Sequence, residues 1–149
     1  MKFWVFASRN VENIQVAKNR LLRGFWDREV GEKQRGNWRP FIRLYNQIRP
    51  FDIACFQIAK TGQIHAVGVV KGTYYDDQTP IWPDEQNKVL FPWKVSFSMF
   101  VFSGMPFVSH FAKIESYIDG YGIGELPEYE FRRILTELQK QLNIELNLG

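Results

Sequence analysis

Two apolar runs, "FDIACFQIA" (51–59) and "QIHAVGVVKG" (63–72), stand on either side of a three-residue "KTG". A short break with glycine between β-branched and aromatic runs signals a hairpin. In both runs apolar residues fill both alternating positions, so each strand is expected to be buried on both faces and to lie in the middle of a sheet. Such a pair needs further strands beside it and helices over its faces. The fold class that meets this requirement is α+β.

The rest of the chain supplies those elements. "KFWVFAS" (2–8) has the aromatic and β-branched content of a strand. Asn10 is placed to cap a helix in "NVENIQVAKNRLL", with Glu12 and Asn13 in its first turn and Ile14, Ala17 and Leu21 along one side. Gly24 is expected to end it. A second helix is expected after Asn37, with Pro40 in the first turn, where a missing N–H does little harm. Phe41, Leu44, Tyr45 and Ile48 give it an apolar side. "LFPWKVSFSMFVFS" (90–103) reads as a long third strand, with Val95, Phe97, Met99 and Val101 on one face. Its other face would carry Ser96, Ser98, Phe100 and Phe102, and the two aromatics would need cover. A closing helix from about Pro127 repeats Phe131, Leu135, Leu138 and Leu142 at helical spacing, before a tail through Ile144, Leu146 and Leu148.

No linker, repeat or Pro/Ser-rich gap divides the 149 residues, so residues 1–149 are expected to form one domain, with 127–149 its terminal helix and tail. A hydrophobic content of 45% and an aromatic content of 16% exclude a disordered chain. No run approaches the roughly 18 apolar residues of a membrane span. The opening "MKFWVFASRN" is too short in apolar residues for a secretory signal, which makes the expected location cytoplasmic. Cys55 is the one cysteine, so internal disulfides and thiolate metal clusters are excluded.

Catalytic motifs are absent from the sequence. His65 and His110 lie far apart, with no Cys or His at ligand spacing, and no phosphate loop, dinucleotide fingerprint or nucleophile elbow occurs. The carboxylates Asp76, Asp77, Asp84 and Glu85 could in principle hold a divalent cation, but a Pro-punctuated polar loop accounts for them equally. The expected protein is not an enzyme and needs no metal or cofactor.

Charge points instead to binding. The first 50 residues carry 11 Lys and Arg against 4 acids, whereas the other 99 carry 8 against 12. Within this basic third, "GFWDREVGEKQRGNWRPF" (24–41) places Arg28, Lys33, Arg35 and Arg39 around Trp26 and Trp38, with Arg43 one helical turn after Arg39. Cations for phosphates and flat rings for bases are what a single nucleic-acid strand requires. A merely solvated loop needs charge but not one sign of it.

In order along the chain, "FWVFASRNVENIQV", "GFW", "IRPFDIACFQI", "IHAVGVVKGTYYDD", "PIWP", "LFPWKVSFS" and "GIGELPEYEF" resemble the landmarks of the EVE domain, a member of the PUA-like superfamily. The resemblance spans nearly the whole chain. It implies a bent mixed β-sheet or pseudo-barrel flanked by helices, binding nucleic acid, often with a modified or flipped base in an aromatic pocket. Carried onto this chain, the pocket positions are Ser8, Arg9 and Asn10 after the first strand, Trp26 in the following turn, and Tyr75 or Trp82 across from them. Two departures stand out. Phe51 of "RPFD" replaces the family's turn glycine, and the basic insert after Trp26 exceeds the usual connection. A basic, aromatic-rich variant of this kind resembles the archaeal ThermoDBP-related proteins that bind single-stranded DNA.

The expectation is therefore a binder of single-stranded nucleic acid, DNA before RNA. Arg28, Lys33, Arg35, Arg39 and Arg43 would hold phosphates, and Trp26, Trp38, Tyr75 and Trp82 would offer stacking faces. The C-terminal segment is expected to form a homo-oligomer, since "NIELNLG" alternates apolar and polar residues as an interface segment does. A reader of a modified base and a protein-interaction module without nucleic acid are the alternatives. Arg35→Ala or Arg39→Ala should weaken binding to every single strand and shallow the salt dependence by roughly 0.7 per lost phosphate contact in titrations at several salt concentrations. Unchanged binding would reduce the basic stretch to a solvated connection.

Overall fold

The computed structural model describes residues 1–26, 38–86, 88–109, 114, 117–118 and 122–142. Among them, six strands form one curled sheet: β1 (Phe3–Ser8), β2 (Leu22–Phe25), β3 (Ile53–Ile58), β4 (Gln63–Tyr75), β5 (Trp93–Phe102) and β6 (Ile123–Leu126). Three helices, α1 (Val11–Arg20), α2 (Trp38–Tyr45) and α3 (Glu128–Leu142), complete the α+β fold. The sheet order is β2-β5-β4-β3-β1-β6. β1 runs parallel to β3, and the other neighbours are antiparallel.

The expected hairpin lies at the centre of this sheet, and its two-sided burial explains why. On one face Ala54 and Phe56 of β3 join Trp4, Phe6, Phe25, Val95 and Phe97 under α1 and α2, which contribute Ile14, Ala17, Phe41 and Tyr45. On the other, Ile53 and Cys55 join Phe3, Val5 and Ile64 under α3. Burial pushes the Cys55 thiol well above its ordinary pKa, consistent with a packing role. His65 is likewise buried, its Nδ1 3.1 Å from the Ser103 carbonyl. His110 lies outside the described residues.

Asn10 caps α1 as expected, its Oδ1 accepting the Asn13 N–H at 2.8 Å. The helix does not run to Gly24. It stops at Arg20, and Leu21 turns left-handed at φ 52° with its N–H donating to the Ala17 carbonyl. Gly24 instead sits inside β2, where an added Cβ would lie 2.5 Å from the carbonyl oxygen of Phe91. Its glycine serves close backbone approach and not a helix stop. The expected cap at Asn37 lies outside the described residues. Pro40 does fall in the first turn of α2.

β5 departs from simple alternation. Val69 of β4 pairs with Met99, but Val70 pairs with Phe97 and Gly72 with Ser96, so Ser98 and then Lys71 are extra residues in their strands. The bulge at Ser98 brings Phe97 and Phe100 onto one face, with ring centroids 5.3 Å apart and both against Phe56. Phe100 and Phe102 are thus half-covered by the chain's own core rather than awaiting a partner.

Along α3, Phe131, Ile134, Leu135 and Leu138 are buried against the sheet, and Phe131 stacks on Phe3 at 4.5 Å. The tail 143–149 lies outside the described residues. Among those described, no helix is long and apolar enough to cross a membrane. Phe131→Ala should lower stability by about 3–5 kcal/mol in denaturant unfolding, with the native mass in light scattering unchanged. A near-neutral effect would mean that α3 is not docked on its own domain.

Candidate nucleic-acid interface

The loop between β4 and β5 is built around one carboxylate. Glu85, 2% exposed, accepts the N–H groups of Ile81 (2.8 Å) and Trp82 (3.0 Å) on one oxygen. Its other oxygen accepts those of Leu90 (2.9 Å) and Phe91 (3.3 Å). One side chain therefore ties both arms of the loop together and fixes Trp82 and Phe91 relative to each other. Lys94, fully buried on β5, donates from Nζ to the Phe91 carbonyl at 2.6 Å. Burial pulls the Lys94 pKa below its ordinary value, and the charges of Glu85 and Asp76 counter the shift.

Opposite the loop, Arg23 of β2 is buried with its guanidinium bonded in three directions. Nη1 donates to Ser8 Oγ (3.0 Å), Nη2 to the Ala7 carbonyl (2.7 Å) and Nε to the Gly24 carbonyl (3.0 Å). The same group lies 4.6 Å from the Phe25 ring, 5.8 Å from Phe6 and 5.9 Å from Trp82. Trp82 Nε1 donates to the Asn13 carbonyl at 3.1 Å, which joins the loop to α1. Phe91 then stands edge-on between two tryptophans, 4.9 Å from Trp82 and 5.1 Å from Trp26. Gly24 leaves room for the Phe91 backbone beneath this cluster.

A second aromatic group surrounds Trp93. Tyr75, Trp38 and Tyr45 lie 4.7, 5.2 and 5.5 Å from it. Trp93 pairs with Phe25 in β2 and with Tyr75 in β4. Trp26 follows Phe25 directly, so the two groups lie at the same end of the β2–β5 pair. The Trp93 indole N–H is buried without a hydrogen-bond partner among the described residues.

Of the residues expected from sequence, Ser8 and Trp82 meet Arg23, and Trp26 and Trp82 meet Phe91. Ser8 acts by holding Arg23, and Asn10 by capping α1. Trp82 is only 6% exposed, so it backs the cluster and is not an open stacking face. Tyr75, half exposed, belongs with Trp93 and Trp38. Arg9, Arg39 and Arg43 are exposed. Arg28, Lys33 and Arg35 lie outside the described residues. Two of the loop carboxylates serve their own backbone: Asp76 accepts the N–H groups of Gln78 and Thr79, as Glu85 does those of its loop. Arg23, Phe91, Lys94 and the role of Glu85 were not anticipated. The available signal was a charged residue inside each of two otherwise apolar stretches, "LLRGFW" and "FPWKVSF".

These features define an α+β protein built on a curled six-stranded sheet flanked by helices. Its fold is similar to the YTH domain of MmI1, with a TM-score of 0.57 and 12% identity over 96% of this chain and 98% of that one. It is also similar to the Toxoplasma CPSF4 YTH domain in complex with a 7-mer m6A-modified RNA, with a TM-score of 0.54 and 15% identity over 91% and 88% of the two chains. No protein-family model matches the chain. By sequence, it belongs to the family of the uncharacterized protein MJ1369 of Methanocaldococcus jannaschii, to which it is 58% identical over 146 residues, covering 97% of this chain and 94% of that protein.

Glu85→Gln should release the loop, because an amide has one oxygen where the carboxylate had two and turns N–H groups toward backbone donors. The expected loss is about 1–3 kcal/mol of stability, with a red shift of tryptophan emission as Trp82 loses its cover. A variant with unchanged emission and stability would show that the loop is held by its apolar packing alone.

Proposed function

We propose that this chain binds single-stranded nucleic acid and reads one base of it at the cluster of Trp26, Phe91 and Trp82, without chemistry of its own. The observation that carries the proposal is the half-buried Trp26 set edge-on against Phe91, on a loop whose backbone is tied to two buried charges. A stacking face prepared before binding loses little further freedom when the base arrives. Arg39 and Arg43, exposed on α2, are available to phosphates, and Arg28, Lys33 and Arg35 are assigned the same role.

The choice of a modified base takes its support from the Toxoplasma CPSF4 YTH domain, which shares this fold and is described with an m6A-modified RNA. A methyl group on a base edge adds apolar surface, which an aromatic cluster rewards and water does not. The DNA preference implied by the likeness to ThermoDBP-related proteins rests on the basic first third of the chain and forms the second arm of the proposal. Assembly into a homo-oligomer is assigned to the tail 143–149, because the apolar side of α3 is already buried on its own domain.

Fluorescence titrations with matched RNA and DNA heptamers, each with and without one N6-methyladenine, test both arms. Each methylated heptamer should bind tighter than its unmodified match, each DNA heptamer tighter than the RNA of the same sequence, and a duplex of equal length more weakly than either strand, since its base faces are already stacked. Trp26→Ala should weaken single-strand binding by about tenfold or more, with the salt slope unchanged. Equal affinity for duplex and single strands would leave a plain electrostatic patch in place of a reader.

A further inference from the structure

Four irregularities of this fold converge on one place. Leu21 and Phe51 are bulky apolar residues held at φ 52° and 73°, in the left-handed region that glycine favours. Ser98 and Lys71 are the two extra residues of the β4–β5 ladder. All four line a single groove of about 420 Å³ that crosses the strands, with Val70 and Phe97 in its wall. Strain at non-glycine residues is unfavourable and persists where something else requires it, and bulges re-aim side chains beside functional sites. The Phe51 N–H donates to the Val70 carbonyl at 2.8 Å, a bond that a glycine would make equally well. Phe51 is 75% exposed, and a glycine there would remove the strain.

We infer that this groove is a second subsite for the same nucleic-acid strand, where a further base stacks on Phe51 and its phosphate meets Lys71. The inference rests on the single-strand reading proposed above. Charge complementarity selects the occupant. Lys71 is exposed in the groove and Arg49 is exposed two residues before Phe51. The nearby carboxylate, Asp52, is buried and engaged by the N–H groups of Lys2, Arg49 and the Trp4 indole. A flat aromatic face beside cations, with no acid among the described residues that line it, suits a base carrying a phosphate. The groove also lies along the strands that end at the first cluster. From Phe91 of that cluster to Ser98 is seven residues, or about 23 Å at the usual rise per residue. One extended strand reaches both places, and a short oligomer reaches only one.

The test uses the full chain with oligo(U) and oligo(dT) of about four and about twelve nucleotides, within the range of single-strand site sizes. Phe51→Gly should keep or raise the melting temperature, leave the affinity for the short oligomers unchanged, and weaken the long ones by about tenfold. Lys71→Gln should shallow the salt slope for the long oligomers by roughly 0.7. If the parent binds and Phe51→Gly binds both lengths like the parent, the groove is not a subsite, although the first cluster stands. If the parent binds neither length, the single-strand reading fails and this inference with it. A marked fall in melting temperature would show that the ring is kept for packing. A change of mass in light scattering with unchanged affinity would give the groove to a second copy of the chain. Either of these last results overturns the inference.

Discussion

The Glu85 carboxylate is the constraint on which the candidate interface depends. A loop that leaves one strand at Tyr75 and enters the next at Trp93 exposes backbone N–H groups that the sheet cannot pair. Glu85 takes four of them on two oxygens, and Lys94 takes the Phe91 carbonyl. Both charges are buried, and burying either alone would be strongly unfavourable. Together they lie in each other's field, and the Phe91 peptide is gripped from both ends. The rings of Trp82 and Phe91 inherit their positions from this arrangement, and Trp26 packs on them in turn.

Much of the fold was legible because it follows from burial. The alternation in "FDIACFQIA" and "QIHAVGVVKG" states directly that both faces of β3 and β4 are covered, and the sheet order places them centrally. Asn10 and Pro40 act as their local chemistry requires. What was illegible depends on contacts between distant segments. Gly24 looks like a helix stop until the backbone of Phe91 is seen against it. The faces of β5 follow a period of two until Ser98 shifts the register, and no local property of a serine announces that shift.

The site was legible in part for the same reason. Aromatic and basic residues announce binding by composition, and Trp26 and Trp82 do meet, but through Phe91, which looked like an ordinary strand residue. Arg23 was counted in the basic excess of the first third. It is in fact withdrawn from it, buried among Phe6, Phe25 and Trp82 and bonded to Ser8. A sum of charges cannot distinguish a guanidinium that holds two strands together from one that meets a phosphate. Burial alone makes the distinction, and burial is a property of the folded chain.

The two ends of the β2–β5 pair are prepared by opposite means. Around Phe91 the backbone is relaxed by buried charges that satisfy it, so rings are fixed by hydrogen bonds behind them. At Phe51 the ring is held out by a backbone in an unfavourable conformation, with its face open. A ring fixed by its neighbours discriminates by shape, since a base that fits poorly meets groups that cannot rearrange. An exposed ring on a turn accepts any base, because each has a π-face. Under the proposed single-strand reading, selection falls to the Trp26 end and general hold to the Phe51 end, and their separation along β5 makes the second contribute only when a strand is long enough to span both.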